Sequence, residues 1–308
     1  MDRFFKQRMF FLLPLALLGA VLLFVGGPDL YSLRSFRSLW EVGHLFCFAL
    51  WVYLYARWRA EASFPRILLE VIVLTFLVGG VTELIQGMIG RNASWQDLGN
   101  DYVGSLVGVL FFAPARKKLF RPWLLLLQLP LLAFVCWTLF PVAGIAIDEA
   151  LLWARFPQLS GFESRLEAGR WIGSTRRSVS HDVHFAGDAS LKVELTTQIY
   201  SGFRLRGAPP DWRGYHSVAF QIFNPDPQPL TLYFRIVDRA FNFKHVDSYN
   251  DSFELEPGWN GIEVALADVE KGPRGRLLDL SQVFEMLFYV KKLDSPRIIY
   301  LDEVRLQP

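Results

Sequence analysis

Five apolar stretches in the first 142 residues leave this part of the chain few ways to fold. They run over about 9–27, 39–56, 67–89, 98–114 and 122–142. A bilayer core about 30 Å thick is crossed by roughly 20 apolar residues in helix. Inside hydrocarbon every backbone N–H and C=O needs a partner within its own segment, which favours helices over irregular chain. The expectation is therefore a bundle of about five transmembrane helices. The fourth stretch is the shortest and opens with polar residues. The first follows the basic start Met1-Asp2-Arg3-Phe4-Phe5-Lys6-Gln7-Arg8. It is long, lacks a small-x-small cleavage pattern before Gly26 and is followed by further apolar stretches, so it is expected to be a retained span.

Lys and Arg in the short loops set the expected orientation. Arg3, Lys6 and Arg8 precede the first stretch. Arg57, Arg59 and Arg66 lie between the second and third, and Arg116, Lys117, Lys118 and Arg121 between the fourth and fifth. The opposite loops carry Arg34, Arg37 and Arg91. This asymmetry places the N-terminus in the cytoplasm and, with five spans, everything after about residue 142 outside it. If the short fourth stretch does not cross, the second half moves to the other side.

The hydrophobic share of 52% over 308 residues conceals a change of character along the chain. Residues 1–142 carry the apolar stretches, 143–159 read as a linker, and 160–308 have ordinary soluble composition. A net charge of +2, with no nucleic-acid motif, argues against a nucleic-acid partner. Cys47 and Cys136 both lie in apolar stretches, so no disulfide framework is expected in the second half.

Within the apolar half, polar residues stand out. His44, Glu83, Gln86, Ser94, Asp97, Asn100 and Asp101 lie inside or at the edge of these stretches, with Arg91 in the loop beside them. A charge at membrane depth is costly and usually faces a bundle interior. In the expected topology three spans bring these groups to the outer headgroup level, with His44 about 7.5 Å along its helix axis. Asp97, Asp101, Gly104 and Gly108 fall on one helical stripe, and the glycines permit close contact between helices. Gln86, Asn100 and Ser94 also fit a plainer role as hydrogen-bonding glue between helices, and Asp97 fits a helix N-cap.

These residues, in this order, resemble the VanZ-like membrane family. The match reads Gly43-His44-Leu45-Phe46-Cys47-Phe48-Ala49-Leu50, then Gly80-Val81-Thr82-Glu83-Leu84-Ile85-Gln86, then Arg91 through Gly108 with Ser94, Asp97, Asn100 and Gly104 in step. It covers roughly residues 36–114. Where the family often has Asp-Lys before the histidine, this chain has Trp40-Glu41. The resemblance implies a multi-pass protein of a bacterial inner membrane and cell envelope; the name-giving member is associated with glycopeptide resistance.

From about Ser160 the pattern changes to period two. Ser190–Leu195, Ser217–Phe223, Leu230–Ile236, Asn260–Leu266, Phe284–Val290 and Ile298–Leu306 alternate or run apolar between Gly and Pro turns. Many short strands of this kind predict an all-β jelly-roll sandwich. Gly161-Phe162-Glu163, Gly187 through Val193, Trp212-Arg213-Gly214-Tyr215, Pro257-Gly258-Trp259-Asn260 and Ile299 through Val304 resemble a galactose-binding-like carbohydrate-binding module. Such a module stacks aromatic rings on sugars, and Trp171, Tyr200, Trp212, Phe241 and Tyr249 are the candidates. The resemblance also implies a structural calcium ion at Glu163 and Asp302, whose oxygens suit that cation. No other cofactor is expected.

No nucleophile elbow, phosphate loop, zinc-protease or dinucleotide motif is present. The chain is expected to bind or handle a lipid-linked glycan or glycolipid headgroup, or a cell-wall or extracellular polysaccharide. Two alternatives stay open: a transferase or hydrolase using His44 with Glu83 or Asp97 as an acid–base pair, and a glycan-binding module on a purely structural bundle.

Overall fold

The computed structural model describes residues 3–88 and 95–308, with side chains from Met9 onward. Its contacts divide it into two units, Met1–Leu30 with Ser35–Ala143 and Tyr31–Arg34 with Gly144–Pro308.

The first unit is helical. Its elements are α1 (Arg3–Leu22), α2 (Arg34–Glu41), α3 (Gly43–Trp58), α4 (Phe64–Met88), α5 (Trp95–Val107) and the first part of α6 (Arg121–Arg155). Among the described residues α4 and α6 are long and apolar enough to cross a membrane, each with a mean hydropathy of 2.1. The α2–α3 pair, bent by 45°, makes a third if it acts as one span. Met9–Leu22 is a shorter apolar helix. The fourth expected stretch forms α5 followed by one π-helical turn, Gly108–Phe112. Length and composition alone thus support two or three crossings where five were expected.

α3, α4 and α5 pack together through a graded interior. At one end Val52, Ala56, Ile67, Val71 and Val109 form a dry cluster. Beyond it Thr75 and Ser105 share a hydrogen bond of 2.7 Å. Next comes the pair of His44 and Asp101. Close approach depends on glycine: a β-carbon on Gly104 would overlap the Leu45 carbonyl, and one on Gly108 would lie 2.7 Å from Val52. The interior side of α4 is a stripe of Ile67, Val71, Thr75, Gly79, Thr82 and Gln86. Its other faces expose Leu69, Phe76, Leu77 and Leu84. Thr75, Thr82 and Gln86 of α4 thus lie on its packed side, and large apolar side chains cover much of the rest.

The residues expected to form a linker, 143–159, are helical as far as Arg155. Ala146 through Ala154 contain no Gly or Pro and are mostly good helix formers. Their buried side, Asp148, Glu149 and Leu152, gives the extension a packing face.

The second unit is a β-sandwich. Its strands are β1 (Gln158–Ser160), β2 (Trp171–Gly173), β3 (Arg176–Ser180), β4 (Ser190–Leu195), β5 (Tyr200–Arg206), β6 (Ser217–Asn224), β7 (Leu230–Asp238), β8 (Tyr249–Leu255), β9 (Gly258–Ala265), β10 (Val283–Lys291) and β11 (Arg297–Gln307), with a short helix α7 (Leu266–Glu270). One sheet has the order β3-β4-β11-β6-β9, with β1 also on β11; the other runs β2-β5-β10-β7-β8. Every pairing is antiparallel. The core between the sheets is strongly aromatic: Phe203, Phe220, Phe234 and Phe288 are fully buried, and Phe203 stacks on Phe288 at 5.3 Å.

Candidate functional sites

In the helical unit the structure joins most of the predicted polar residues that it describes. His44 Nδ1 lies 2.8 Å from Asp101 Oδ1, and Asp101 is 0% exposed. Asp101 is held from the other side by α4, where a β-carbon on Gly79 would come within 2.6 Å of its Oδ2. Glu83 and Asp97 are half-buried beside the imidazole: ligand atoms of His44, Glu83 and Asp97 all lie within 4.8 Å of one another. The stripe of Asp97, Asp101, Gly104 and Gly108 therefore serves two ends, carboxylates toward the histidine and glycines toward α3. His44 was expected to pair with Glu83 or Asp97; Asp101, also among the candidates, makes its hydrogen bond.

Two other candidates act as glue. Gln86 donates to the Leu23 carbonyl just past the end of α1, at 2.7 Å, and Asn100 donates to the Glu41 carbonyl at 3.3 Å. Both satisfy carbonyls left over at helix ends. Arg91 and Ser94 lie outside the described residues. A cleft of about 400 Å³, lined in part by Phe36, Trp40, Glu41, Cys47 and Asp97, opens onto His44. On the other side Glu83 borders an apolar groove of about 530 Å³ with Phe76, Leu77, Val81, Leu84 and Leu98.

The loop arginines fall elsewhere. Arg34 belongs to the second unit, where it pairs with Asp148 at 2.6 Å. Arg37 donates to the carbonyls of Asp29 and Leu30.

In the sandwich the outer face of the β2-β5-β10-β7-β8 sheet carries a cleft of about 700 Å³. Strand alternation builds its floor. Phe203, Phe234 and Phe288 point into the core, so their neighbours Gly202, Arg204, Tyr233, Arg235, Leu287 and Tyr289 point out. Register then aligns Arg204, Leu287 and Arg235 in one row across β5, β10 and β7, and Gly202, Tyr289 and Tyr233 in the next. Tyr233 and Tyr289 stack at 5.2 Å with 21° between planes. Gly202 must stay bare, because a β-carbon there would lie 2.6 Å from Tyr289 Cβ. Lys291 Nζ sits 3.8 Å from the Tyr233 ring centre. Tyr200, Phe243 and His245 complete the walls.

The wall bearing Phe243 and His245 is pinned by Arg276. This side chain donates to both carboxylate oxygens of buried Asp238 and to Asp247. Asp247 in turn accepts from the Asn242 backbone at 2.8 Å. The Arg276 guanidinium, foremost, holds the Asp247 carboxyl below its ordinary range. His245 is pushed below the ordinary histidine value, first by partial burial and then by the positive charges of Arg235 and Lys291.

Of the five aromatic candidates only Tyr200 stands exposed on this cleft. Trp171 and Trp212 are core residues, 1% and 2% exposed, and correct the expectation that they face a ligand. Each indole N–H has an internal partner, Ser160 Oγ for Trp171 and the Pro209 carbonyl for Trp212. Tyr249 packs on the core and donates to Asp251; Phe241 stacks with Phe243 beside the cleft wall. Tyr233, Arg235, Tyr289 and Lys291 were not singled out. Their signal is the outward register of three neighbouring strands, visible only once strand order is known.

Glu163 and Asp302 lie at one loop. Asp302 accepts from the backbone N–H groups of Phe185, Ala186 and Glu303, and Glu163 accepts from that of Asp188. Burial raises the Asp302 carboxyl above its ordinary range, against those three N–H groups and with Glu163 nearby. Both offer carboxylate oxygens, the donors calcium takes, and both are held at the 185–188 loop by its backbone N–H groups.

No protein-family model matches the chain, and no curated protein matches it. Solved structures do show likeness, over about half its length. A family 11 carbohydrate-binding module from Clostridium thermocellum, in complex with a β-1,3-1,4-mixed-linked tetrasaccharide, shares 18% identity and a TM-score of 0.38, covering 49% of this chain and 94% of that one. An exo-β-agarase shares 16% identity and a TM-score of 0.40, covering 49% of this chain and 24% of that one. The module of the cellulosomal cellulase Lic26A-Cel5E of Clostridium thermocellum shares 16% and 0.37, covering 49% and 92%.

Proposed function

We propose that the chain is a membrane protein of the bacterial cell envelope that binds a glycan carrying anionic groups. The sandwich lies outside the cytoplasm and holds the sugar in the cleft on its outer sheet. The carrying observation is a cleft that sets Tyr200 and Tyr289, the latter stacked on its neighbour Tyr233, together with Arg204, Arg235 and Lys291. Flat aromatic rings take the C–H faces of sugars, and cations beside them take carboxylate, sulfate or phosphate groups.

The helical unit is proposed to span the membrane and to receive the lipid-linked end of such a glycan. Two features support this: the length and apolar composition of α4 and α6, and the polar cluster around His44, whose Glu83 borders an apolar groove. The resemblance to VanZ-like sequences rests on the same residues. The calcium ion at Glu163 and Asp302 belongs to this reading as a structural element of the sandwich.

Titration calorimetry of the full-length protein in nanodiscs, against panels of anionic and neutral oligosaccharides, tests the cleft. Binding that Tyr233→Ala and Lys291→Ala each weaken about tenfold or more, roughly 1.4 kcal/mol, is the expected result. Equal binding by both variants moves the glycan site away from this sheet.

A further inference from the structure

We propose that His44, Glu83 and Asp97 form a binding site for one divalent first-row transition ion, of the zinc or manganese class, and that Asp101 is its positioning residue. The site lies in the polar cluster considered above. It stands on side-chain geometry alone and does not require the glycan reading.

Three helices contribute one ligand each: His44 from α3, Glu83 from α4 and Asp97 from α5. Their ligand atoms lie within 4.8 Å of one another. Around an ion bound tetrahedrally at roughly 2.1 Å, ligand atoms lie about 3.4 Å apart, so closure draws the three side chains together by up to about 1.4 Å. One imidazole with two carboxylates suits zinc and manganese better than calcium or copper(I). Three protein ligands leave a coordination position open. It would face the cleft that Asp97 and Glu41 line beside His44, which also supplies a path in from outside.

The second observation is Asp101. Metal-bound histidines commonly donate their other ring N–H to a carboxylate, which fixes the tautomer and turns the free nitrogen to the ion. Asp101 makes this contact with His44 Nδ1 at 2.8 Å, leaving Nε2 as the nitrogen available for coordination. Its other oxygen, Oδ2, is buried with no hydrogen-bond partner among the described residues. A fully buried carboxylate spent wholly on one imidazole is costly among apolar helices. Aiming a metal ligand gives that cost a purpose. The bare backbone of Gly79 and Gly104 lets α5 seat Asp101 between α3 and α4. A bound ion would tie the three helices and present a Lewis-acidic position to an oxygen ligand such as phosphate.

The test uses full-length protein purified in detergent without a histidine tag and dialysed to defined free Zn²⁺ or Mn²⁺ at micromolar levels. Elemental analysis should find one ion per chain in wild type. Glu83→Gln and Asp97→Asn should each lose it, and Asp101→Asn should retain the site with affinity lowered about 10- to 100-fold. No stoichiometric ion in wild type, or an ion that survives in both ligand variants, overturns the proposal. Should a variant misfold, pulsed electron paramagnetic resonance of Mn²⁺-loaded wild type decides. Coupling to a single histidine nitrogen supports the site, and its absence overturns it. Glycan binding to the sandwich is read separately, so either proposal can fail without the other.

Discussion

The two candidate sites are opposite in charge and in construction. Among the described residues, the helical site gathers three carboxylates around one imidazole, seated by glycines that let helices touch. The sheet site gathers Arg204, Arg235, Lys291 and His245 around tyrosines, on a floor set by strand register. In the first, burial does the work. Each polar group is expensive, so few are present and each is aimed. In the second, solvent screens the charges, and rings supply the contact area while cations select the ligand. An acidic, half-buried cluster favours a cation; a basic, open, aromatic floor favours an anionic sugar.

The largest effect is expected from removing what holds the open site in shape. Arg276→Ala leaves the fully buried Asp238 without its cation, a change that costs about 3 kcal/mol or more. Thermal unfolding of the sandwich should move down by several degrees, and amide exchange should rise first around Asn242–Asp247. Unchanged exchange there would mean the wall is held by other contacts.

Calcium removal follows in size. If Glu163 and Asp302 hold the ion, a chelator should lower the sandwich's melting temperature. Free calcium at about 100 times its dissociation constant would restore roughly 2.7 kcal/mol. No shift at millimolar calcium assigns these carboxylates solely to pinning the 185–188 loop.

Reversing the sheet's sign sharpens the contrast directly. Arg235→Glu with Lys291→Glu should reduce binding of anionic oligosaccharides at least tenfold while sparing metal content, measured by calorimetry and elemental analysis on the same preparation. Loss of both would show that the sites are not independent.

The smallest effect is that of pH. The folded pKa of His245 lies below its ordinary 6.5, so on acidification the unfolded chain takes up this proton first. Its contribution to stability is thus present above about pH 6.5 and is lost as pH falls through the depressed value. Over the same range the cleft gains a positive charge, and affinity for an anionic sugar should rise a few-fold. His245→Gln should flatten both curves; unaltered curves would assign the pH response to another group.

The sequence makes the helical site easier to see than the sheet site, and for a physical reason. A glutamate or histidine in a run of Leu and Val is conspicuous because burial makes it costly. What the chain hides there is pairing: 57 residues separate His44 from Asp101, and which turn of one helix faces which turn of another is a matter of packing. On a sheet the ligand-facing residues look like any solvated strand face. Tyr233 and Tyr289 become one surface only because β7 and β10 are neighbours, a pairing across some fifty residues that alternation does not encode. Trp171 and Trp212 mislead for the opposite reason. They sit beside turns, yet their rings fill the core because Ser160 and Pro209 satisfy their N–H groups. The helix over 143–155 was hidden because its polar positions, Asp148 and Glu149, resemble a solvated link; both are buried.

Those two acids decide which part of the chain belongs to which unit. Asp148 accepts from Arg170, itself 2% exposed, and from Arg34; Glu149 accepts from the Arg34 backbone. The short segment Tyr31–Arg34 thereby belongs with the sandwich, although helical chain flanks it on both sides. The polypeptide crosses between the units at three places instead of one. An insertion within Tyr31–Arg34 would therefore disturb Asp148 and Glu149 more than a hundred residues further along the chain, inside the sandwich's own unit.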